Sequence, residues 1–448
     1  MSRQAIYWFR NDLRLHDARL LAEAAAECEQ LELVYCHDTR LDGATRWSTA
    51  KLMSQRMGRH RRRYLLDTLL DLQQSLVTQQ QSLRLLVGDP AAILQREAAR
   101  LGVDTIYAEE IAAPEERAIV QQLQAAGLTV KLCWQSSLLE PLELPFEIGR
   151  LPRVFTQFRR VVEASEVAPV AAIDPVSLPP SISPLERHDI DLMLQRERWA
   201  QRLGVENMAA HPLAALPYLT ALGQGGERSA LNHLDRYFSS SLPQRYKETR
   251  NGLLGFDYST KFSAWLASGA LSPRQIWQRL QQHELQQGAN ESTYWIKFEL
   301  LWRDYFRFLH LQHGNRLYLA GGLSGRAAAR HDAQAFARWC CGETGNDFID
   351  AGMRELVETG YLSNRMRQNV ASYLLNDLGC DWRAGAAWFE ATLIDYDVYS
   401  NTGNWLYLAG CGTDPRDGRR FDPQKQAAHY DSDGRYRLTW LPERSKHA

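Results

Sequence analysis

The run STYWIKFELLWRDYFRFLHLQHG (292 to 314) places Glu299, Trp302, Arg303 and Phe306 at i, i+3, i+4 and i+7, so on a helix they share one face. That face mixes a carboxylate, a guanidinium and two large rings. Alone it reads either as a buried aromatic stripe with one intrahelical ion pair or as the wall of a site. A second segment, YSTKFSAWLASGALSPR (258 to 274), crowds Ser259, Thr260, Lys261 and Ser263 ahead of an apolar helical run. Hydroxyls and free amides at a helix N-terminus can hold phosphate, and Lys261 adds positive charge; an ordinary N-cap would account for one of the hydroxyls. A third, LIDYDVYSNTGNWLYLAG (393 to 410), sets Asp395, Asp397 and Asn401 among apolar and aromatic residues. A buried carboxylate must find a donor, and Arg365 and Arg367 of YLSNRMRQN (361 to 369) are candidates, as is the imide edge of a bound heterocycle. Metal binding is the rival use of two aspartates, but no His or Glu stands at ligand spacing to complete a shell.

The elements that must position these residues fall into two kinds. Up to about residue 135, β-rich runs at 5 to 9, 31 to 36, 83 to 88, 105 to 110 and 129 to 134 alternate with helical patterns. That alternation predicts a Rossmann-like α/β domain with a parallel five-stranded sheet. No G-x-G-x-x-G or G-x-x-x-x-G-K-[ST] fills its loops, so the common nucleotide fingerprints are absent. Over 47 to 80, Arg56, Arg59, His60, Arg61, Arg62 and Arg63 form a charge run that reads as a solvated helix face. A proline-rich stretch from about 165 to 217 prolongs no helix or central strand, and beyond it nearly every run is helical. The expected domains are therefore 1–135, a linker over 136–217, and an all-α domain over 218–448. Gly314 and Gly360 stand where two of its helices should stop.

The chain has 448 residues, 45% hydrophobic and 23% charged, the range of a globular protein with two or three cores. A formal net charge of -1 supplies no general basic field, so a polyanion would need a local patch. Seven scattered cysteines without a Cys-x-x-Cys pair argue against a disulfide framework and structural zinc. Arg10, Asp12 and Arg14 interrupt any leader-like start and no stretch suits a membrane span, so a cytoplasmic protein is expected. Tryptophan is plentiful, 13 residues mostly in the second half, which points to a use for aromatic rings there.

WFRNDLRLHD (8 to 17), YSTKFS (258 to 263), LWRDYFRF (301 to 308), GYLSNRMRQNVASYLLNDLGCDW (360 to 382) and DYDVYSNTGNWLYLAGCGTDPR (395 to 416) together resemble the photolyase and cryptochrome family, collinearly over nearly the whole chain. The resemblance implies an all-helical domain holding FAD. Tyr246 and Ser259, Thr260, Lys261, Phe262 and Ser263 would take the phosphates in place of a glycine-rich loop. Arg303, Arg367, Asp395, Tyr396 and Asp397 would complete the cofactor site, with Arg367 pairing Asp395 and Asn401 near the flavin N5. In dimer-repairing members the carboxylate matching Glu299 bonds the pyrimidine carbonyls. Trp302 would stack on the lesion, Asn364 would bond lesion and flavin, and Arg250 and Arg365 would grip the flanking phosphates. The resemblance thus implies light-driven repair of cyclobutane pyrimidine dimers, with blue-light signalling by the same flavin as the alternative.

Gln368 stands where duplex-repairing members have Met, and Tyr407 where they have a second Trp; both match the DASH branch. A smaller ring and a polar amide leave less stacking energy to offset flipping a lesion out of duplex, so single-stranded DNA is the expected partner. No membrane partner is expected, and the protein should be a monomer or weak dimer. Trp405 and Trp382 match the first two members of the family's electron-transfer chain, and the third position falls on Ala329. Trp339, nearest in sequence, matches a separate structural tryptophan. A folate antenna, 5,10-methenyltetrahydrofolate, is expected at a carboxylate after the fourth strand, which Glu110 supplies.

Overall fold

The computed structural model describes residues 3–48, 52–327, 330–413 and 418–442. Five strands, β1 (Gln4–Phe9), β2 (Gln30–Asp38), β3 (Leu83–Gly88), β4 (Thr105–Glu109) and β5 (Thr129–Cys133), form one parallel sheet in the order β3-β2-β1-β4-β5. Parallel pairing requires crossovers, and the helices Arg19–Glu27, Arg59–Val77, Pro90–Leu101 and Pro114–Ala125 supply them on both faces. The period of two is visible on β1. Tyr7 and Phe9 pack with Leu66 and Leu69 on one side, while Ile6 and Trp8 pack with Leu94 and Ile119 on the other. Strand order reverses beside β1, and the crevice outside the carboxyl ends of β1 and β4 is where such sheets take ligands.

From Glu227 onward the regular structure is helical. The long helix Glu291–His313 starts on a capping box between Asn290 and Thr293 and stops at Gly314; Asp347–Thr359 stops at Gly360, which is left-handed at φ 69°. Its core, built on Tyr305, Phe308, Trp339, Ile349, Leu374 and Trp405, also takes in Ala112 and Trp134 from the sheet half, so the two halves share one apolar interior.

Buried polar pairs lock that junction. Arg274 meets Asp17 at 2.8 Å, both essentially without exposure, and Asp304 accepts from the backbone amides of Leu138 and Leu139 at 2.9 and 2.8 Å. Burial pushes the Asp304 carboxyl up to about 6 despite those amides. Gly269, at φ 74°, brings its Cα so close to Asn11 that an added Cβ would lie 1.8 Å from the Asn11 carbonyl oxygen.

The proline-rich stretch runs along the α/β half rather than hanging free. Ile173 and Pro180 carbonyls accept from Asp17 and Leu31 amides, and the helix Leu192–Arg202 packs on Arg59–Val77 through Trp199. The helix Phe155–Ala164, within the same expected linker, gives Phe155 and Phe158 to the helical core. The arginine run departs from its reading as a solvated face: His60 and Arg62 are each 4% exposed. Arg62 donates to the carbonyls of Met57 and Leu203 and to Asp42, Arg61 to the carbonyl of Glu390, and Arg56 pairs with Glu115 and Glu390. Guanidinium groups carry enough donors to satisfy backbone carbonyls at a domain junction, and here they serve that purpose.

Candidate cofactor and substrate site

A cleft in the helical half is lined by Asn364, Arg367 and Gln368 from the helix Asn364–Asn376, and by Asp395, Asp397, Asn401, Trp405 and Tyr407 from the stretch ending in the helix Val398–Leu408. Local capping explains how these side chains are presented. Ser363 caps the first helix by accepting from the Met366 amide at 3.2 Å, which starts the helix at Asn364. Asp397 caps the second by accepting from the Ser400 amide at 3.1 Å, which fixes Asn401 one residue on.

Both aspartates have a guanidinium partner. Arg367 donates to the two carboxylate oxygens of Asp395 at 3.0 and 2.8 Å and to the Leu362 carbonyl at 2.8 Å. Arg307 reaches Asp397 with two nitrogens, at 3.1 and 3.2 Å. Burial alone would raise the Asp397 carboxyl; Arg307 and Arg303 outweigh it and hold the group down to about 2. Arg307 carries no signal in the sequence that separates it from Arg303 one turn earlier. Arg303 instead donates to the carbonyls of Ser136 and Leu266, and burial together with neighbouring Arg307 lowers it to about 9.

The phosphate-type segment meets this cleft through Tyr361. Ser259 neighbours the Tyr361 hydroxyl, and the Arg367 guanidinium lies 5.5 Å from the Tyr361 ring centroid. Phe262 is core, Ser263 starts the short helix Ser263–Ser268, and the Thr260 carbonyl is tied to His233 Nε2 at 2.8 Å. Lys261, at φ 55°, buries its ammonium 3.3 Å from the centroid of Tyr258 and 4.8 Å from that of Tyr361, with no hydrogen-bond partner. Desolvation holds its pKa well below the ordinary lysine value, which Glu355 only partly offsets. A buried amine without a partner, one residue after Thr260 and two after Ser259, is a group that a phosphate brought to this segment would satisfy. Tyr246, buried nearby, lies within reach of Arg250.

Glu299 and Arg250 form an ion pair at the rim, and the intrahelical partner Arg303 is not used. Desolvation raises the Glu299 carboxyl above the usual range, against the pull of Arg250. Arg250 also lies 4.4 Å over the ring of Trp295. Trp302 stacks on Phe155 at 3.7 Å and meets Tyr407 edge-on at 6.0 Å. Phe155 is 147 residues upstream, a contact sequence reading does not suggest. Arg419 lies 4.4 Å over the Tyr407 ring. Arg365 donates to Gln368 and Asn251, both at 2.9 Å, and sits 4.7 Å over Tyr430.

A model described as the FAD-binding domain of DNA photolyase matches residues 295–448, and one described as DNA photolyase matches residues 5–176. The chain belongs to the photolyase and cryptochrome family. Within the family it is similar to the cryptochromes DASH of Gloeobacter violaceus, at 41% identity over 99% of this chain and 86% of the relative, and of Xenopus laevis, at 42% over 99% and 83%. A Synechocystis cryptochrome structure superposes with TM-score 0.87 at 40% identity, covering 99% of this chain and 89% of that one. A class III photolyase from Agrobacterium tumefaciens follows at 0.77 and 29%, covering 99% and 87%. FAD is thus the cofactor of this photolyase fold, and the Asp395–Arg367 pair, Asp397 and Asn401, which the sequence led us to expect beside it, line the cleft.

The two electron-transfer candidates stand apart in the family fold. Trp405 lines the cleft, and Gly385 lets it approach the helix Trp382–Thr392, since a Cβ there would lie 2.2 Å from its ring. Trp382 faces away, into a second chamber of about 710 Å³ between the two halves. Trp339 is sealed, its indole donating to the Val370 carbonyl at 2.9 Å. Residue 329 lies outside the described residues.

The chamber opens on the carboxyl ends of β1 and β2, through Trp8, Arg10, Tyr35 and Asp38, and among the described residues Tyr396 and Asn401 alone border both it and the cofactor cleft. Glu110 is not in its wall: that carboxylate lies 3.7 Å from Arg117 and the backbone amide donates to the Cys133 carbonyl. Its neighbour Glu109 is buried with neither carboxylate oxygen partnered, and desolvation with the nearby Asp12 pushes it up to about 7. Among the described residues no helix is long and apolar enough to cross a membrane, and no group of three His, Cys, Asp or Glu is arranged to hold a metal.

Proposed function

We propose that the protein repairs cyclobutane pyrimidine dimers in single-stranded DNA, using light and reduced FAD. The observation that carries the reading is that the Asn364 and Gln368 amides and the Tyr407 ring line one cofactor cleft, that Trp302 meets Tyr407 edge-on, and that the Glu299–Arg250 pair stands one helical turn before Trp302. Bound FAD would supply the electron. The chain's own residues do the rest.

A Glu299 carboxyl with a raised pKa keeps a proton more readily than an exposed glutamate, and in that form it donates to a pyrimidine carbonyl where negative charge develops. Trp302 and Tyr407, nearly perpendicular at 79°, give a flipped pair two walls. Arg250 and Arg365 stand at the rim, each already against an aromatic ring, in reach of a phosphate chain. Tyr407 offers less stacking area than an indole, and Gln368 presents a polar amide held by Arg365. Both choices favour a lesion that is already unstacked.

The interdomain chamber is the better seat for an antenna than Glu110. Its rings, Trp8 and Tyr35, suit a planar pterin, and Arg10, Arg40 and Arg61 suit the carboxylates of a folate tail.

Anisotropy titrations in the dark test the substrate class. An oligonucleotide carrying one thymine dimer should bind more tightly single-stranded than in duplex, and more tightly than its undamaged copy. Equal affinity for all three would remove lesion recognition from the site.

A further inference from the structure

The electron path through Trp405 and Trp382 needs an outlet, and the aligned position 329 carries no ring. We propose that Trp47, contributed by the α/β half, is the terminal donor of that path; the inference rests on the relay reading of Trp405 and Trp382. Trp47 and Trp382 border the same chamber, and Arg383, next to Trp382, lies 5.9 Å over the Trp47 ring. On its other flank Trp47 meets His331 edge-on at 4.8 Å, two residues beyond 329. The ring therefore stands beside His331, the second residue after the position that lacks one.

Its position is built rather than incidental. Thr45 Oγ1 accepts from the Trp47 amide at 3.1 Å, and Ser48 Oγ accepts from the Thr45 amide at 2.8 Å and donates to the Met53 carbonyl at 2.5 Å, which pins the turn.

The proton decides which ring can end the path. A tryptophan that has lost an electron becomes a strong acid at its indole nitrogen, and handing that proton to water traps the hole. The Trp405 indole nitrogen is buried without a partner, that of Trp382 donates to the Ala320 carbonyl at 2.9 Å, and that of Trp339 is held by Val370 inside the core. The chamber phenols Tyr35, Tyr318 and Tyr396 are all held above their ordinary pKa, chiefly by burial. Trp47 is half-buried, and no described residue accepts from its indole nitrogen. Arg46, 4.3 Å over the ring, disfavours a lingering radical cation and so drives the proton off.

The balance is one electron and one proton. With FAD bound and excited, an electron would leave Trp405, and Trp382 would refill it. Trp47 refills Trp382 and releases its indole proton to water. A thiol reductant in solution then returns an electron and a proton to Trp47, leaving a thiyl that pairs to a disulfide.

Flash photolysis and EPR on the FAD-loaded protein, with ring-deuterated tryptophan, test the assignment. In Trp47→Phe the long-lived neutral tryptophan radical should disappear and thiol-dependent photoreduction should slow, at unchanged FAD content. In Trp47→Tyr a long-lived radical should remain with a tyrosyl spectrum, a signature that a merely structural ring would not give. A long-lived tryptophan radical persisting in Trp47→Phe would overturn the proposal. Trp405→Phe separates the two levels: if it abolishes photoreduction while Trp47→Phe does not, Trp47 alone is wrong, and if neither matters the relay reading falls with it.

Discussion

Replacing Arg307 by Met keeps most of the side-chain volume but leaves Asp397 buried without its two-nitrogen partner. The carboxyl is held at about 2 instead of its ordinary 3.8, a difference worth about 2.4 kcal/mol at roughly 1.4 kcal/mol per pKa unit. Breaking a buried pair by removing one partner costs about 3–5 kcal/mol; the Ser400 amide and hydroxyl remain as donors to Asp397, so the lower end, about 3 kcal/mol, is expected. Because the folded pKa lies below the unfolded one, this stabilisation is complete above about pH 4 and is lost as pH falls through about 2. Urea unfolding followed by circular dichroism, at matched saturating FAD, measures the difference at pH 7 and again down to pH 3. The gap between wild type and variant should shrink as acid protonates Asp397, and Arg307→Met with Asp397→Asn should recover part of it. A loss under about 1 kcal/mol at pH 7, or a gap indifferent to pH, would refute the argument that this pair anchors the cofactor cleft.

Glu299→Ala should keep FAD bound but lower dimer splitting per absorbed photon, and an unchanged quantum yield would remove Glu299 from the chemistry. Because its carboxyl is raised, the wild-type yield should decline as pH rises and the donor proton is lost, a trend the variant should lack. Tyr407→Trp with Gln368→Met should shift repair toward duplex relative to single strands; no change in that ratio would move the cause to the DNA-facing rim. Glu109→Gln should stabilise the protein at pH 8: its carboxyl titrates near 7 when folded against 4.5 otherwise, so native stability falls as pH climbs between those values and the variant's should not. Thermal unfolding across pH 5 to 8 reads that slope directly.

The sheet was legible because each buried parallel strand is a short aromatic or branched apolar run, and AIYWF, LELVYC and LRLLVG each sit within a residue or two of β1, β2 and β3. Helix ends at Gly314 and Gly360 were legible for the same local reason. What sequence could not reach are pairings between distant elements. Composition shows that Arg56 to Arg63 are charged, but not that Glu390 and the Leu203 carbonyl wait for them. Spacing shows two arginines on the helix Glu291–His313, but only folding decides that Arg307 meets Asp397 while Arg303 turns to Ser136. Lys261 looked like an open phosphate clamp, whereas its ammonium is enclosed between Tyr258 and Tyr361. The chamber beside Trp382 belongs to neither half alone, so no motif announces it.

The central claim is light-driven repair selective for single strands, and the most direct measurement is a repair assay on the photoreduced, FAD-loaded protein with one thymine dimer placed in a single-stranded oligonucleotide and in the matching duplex. The account predicts light-dependent splitting that strongly favours the single strand. Equal repair of both would contradict the role given to Tyr407 and Gln368, and no repair of either, with FAD bound and reduced, would contradict the enzyme itself.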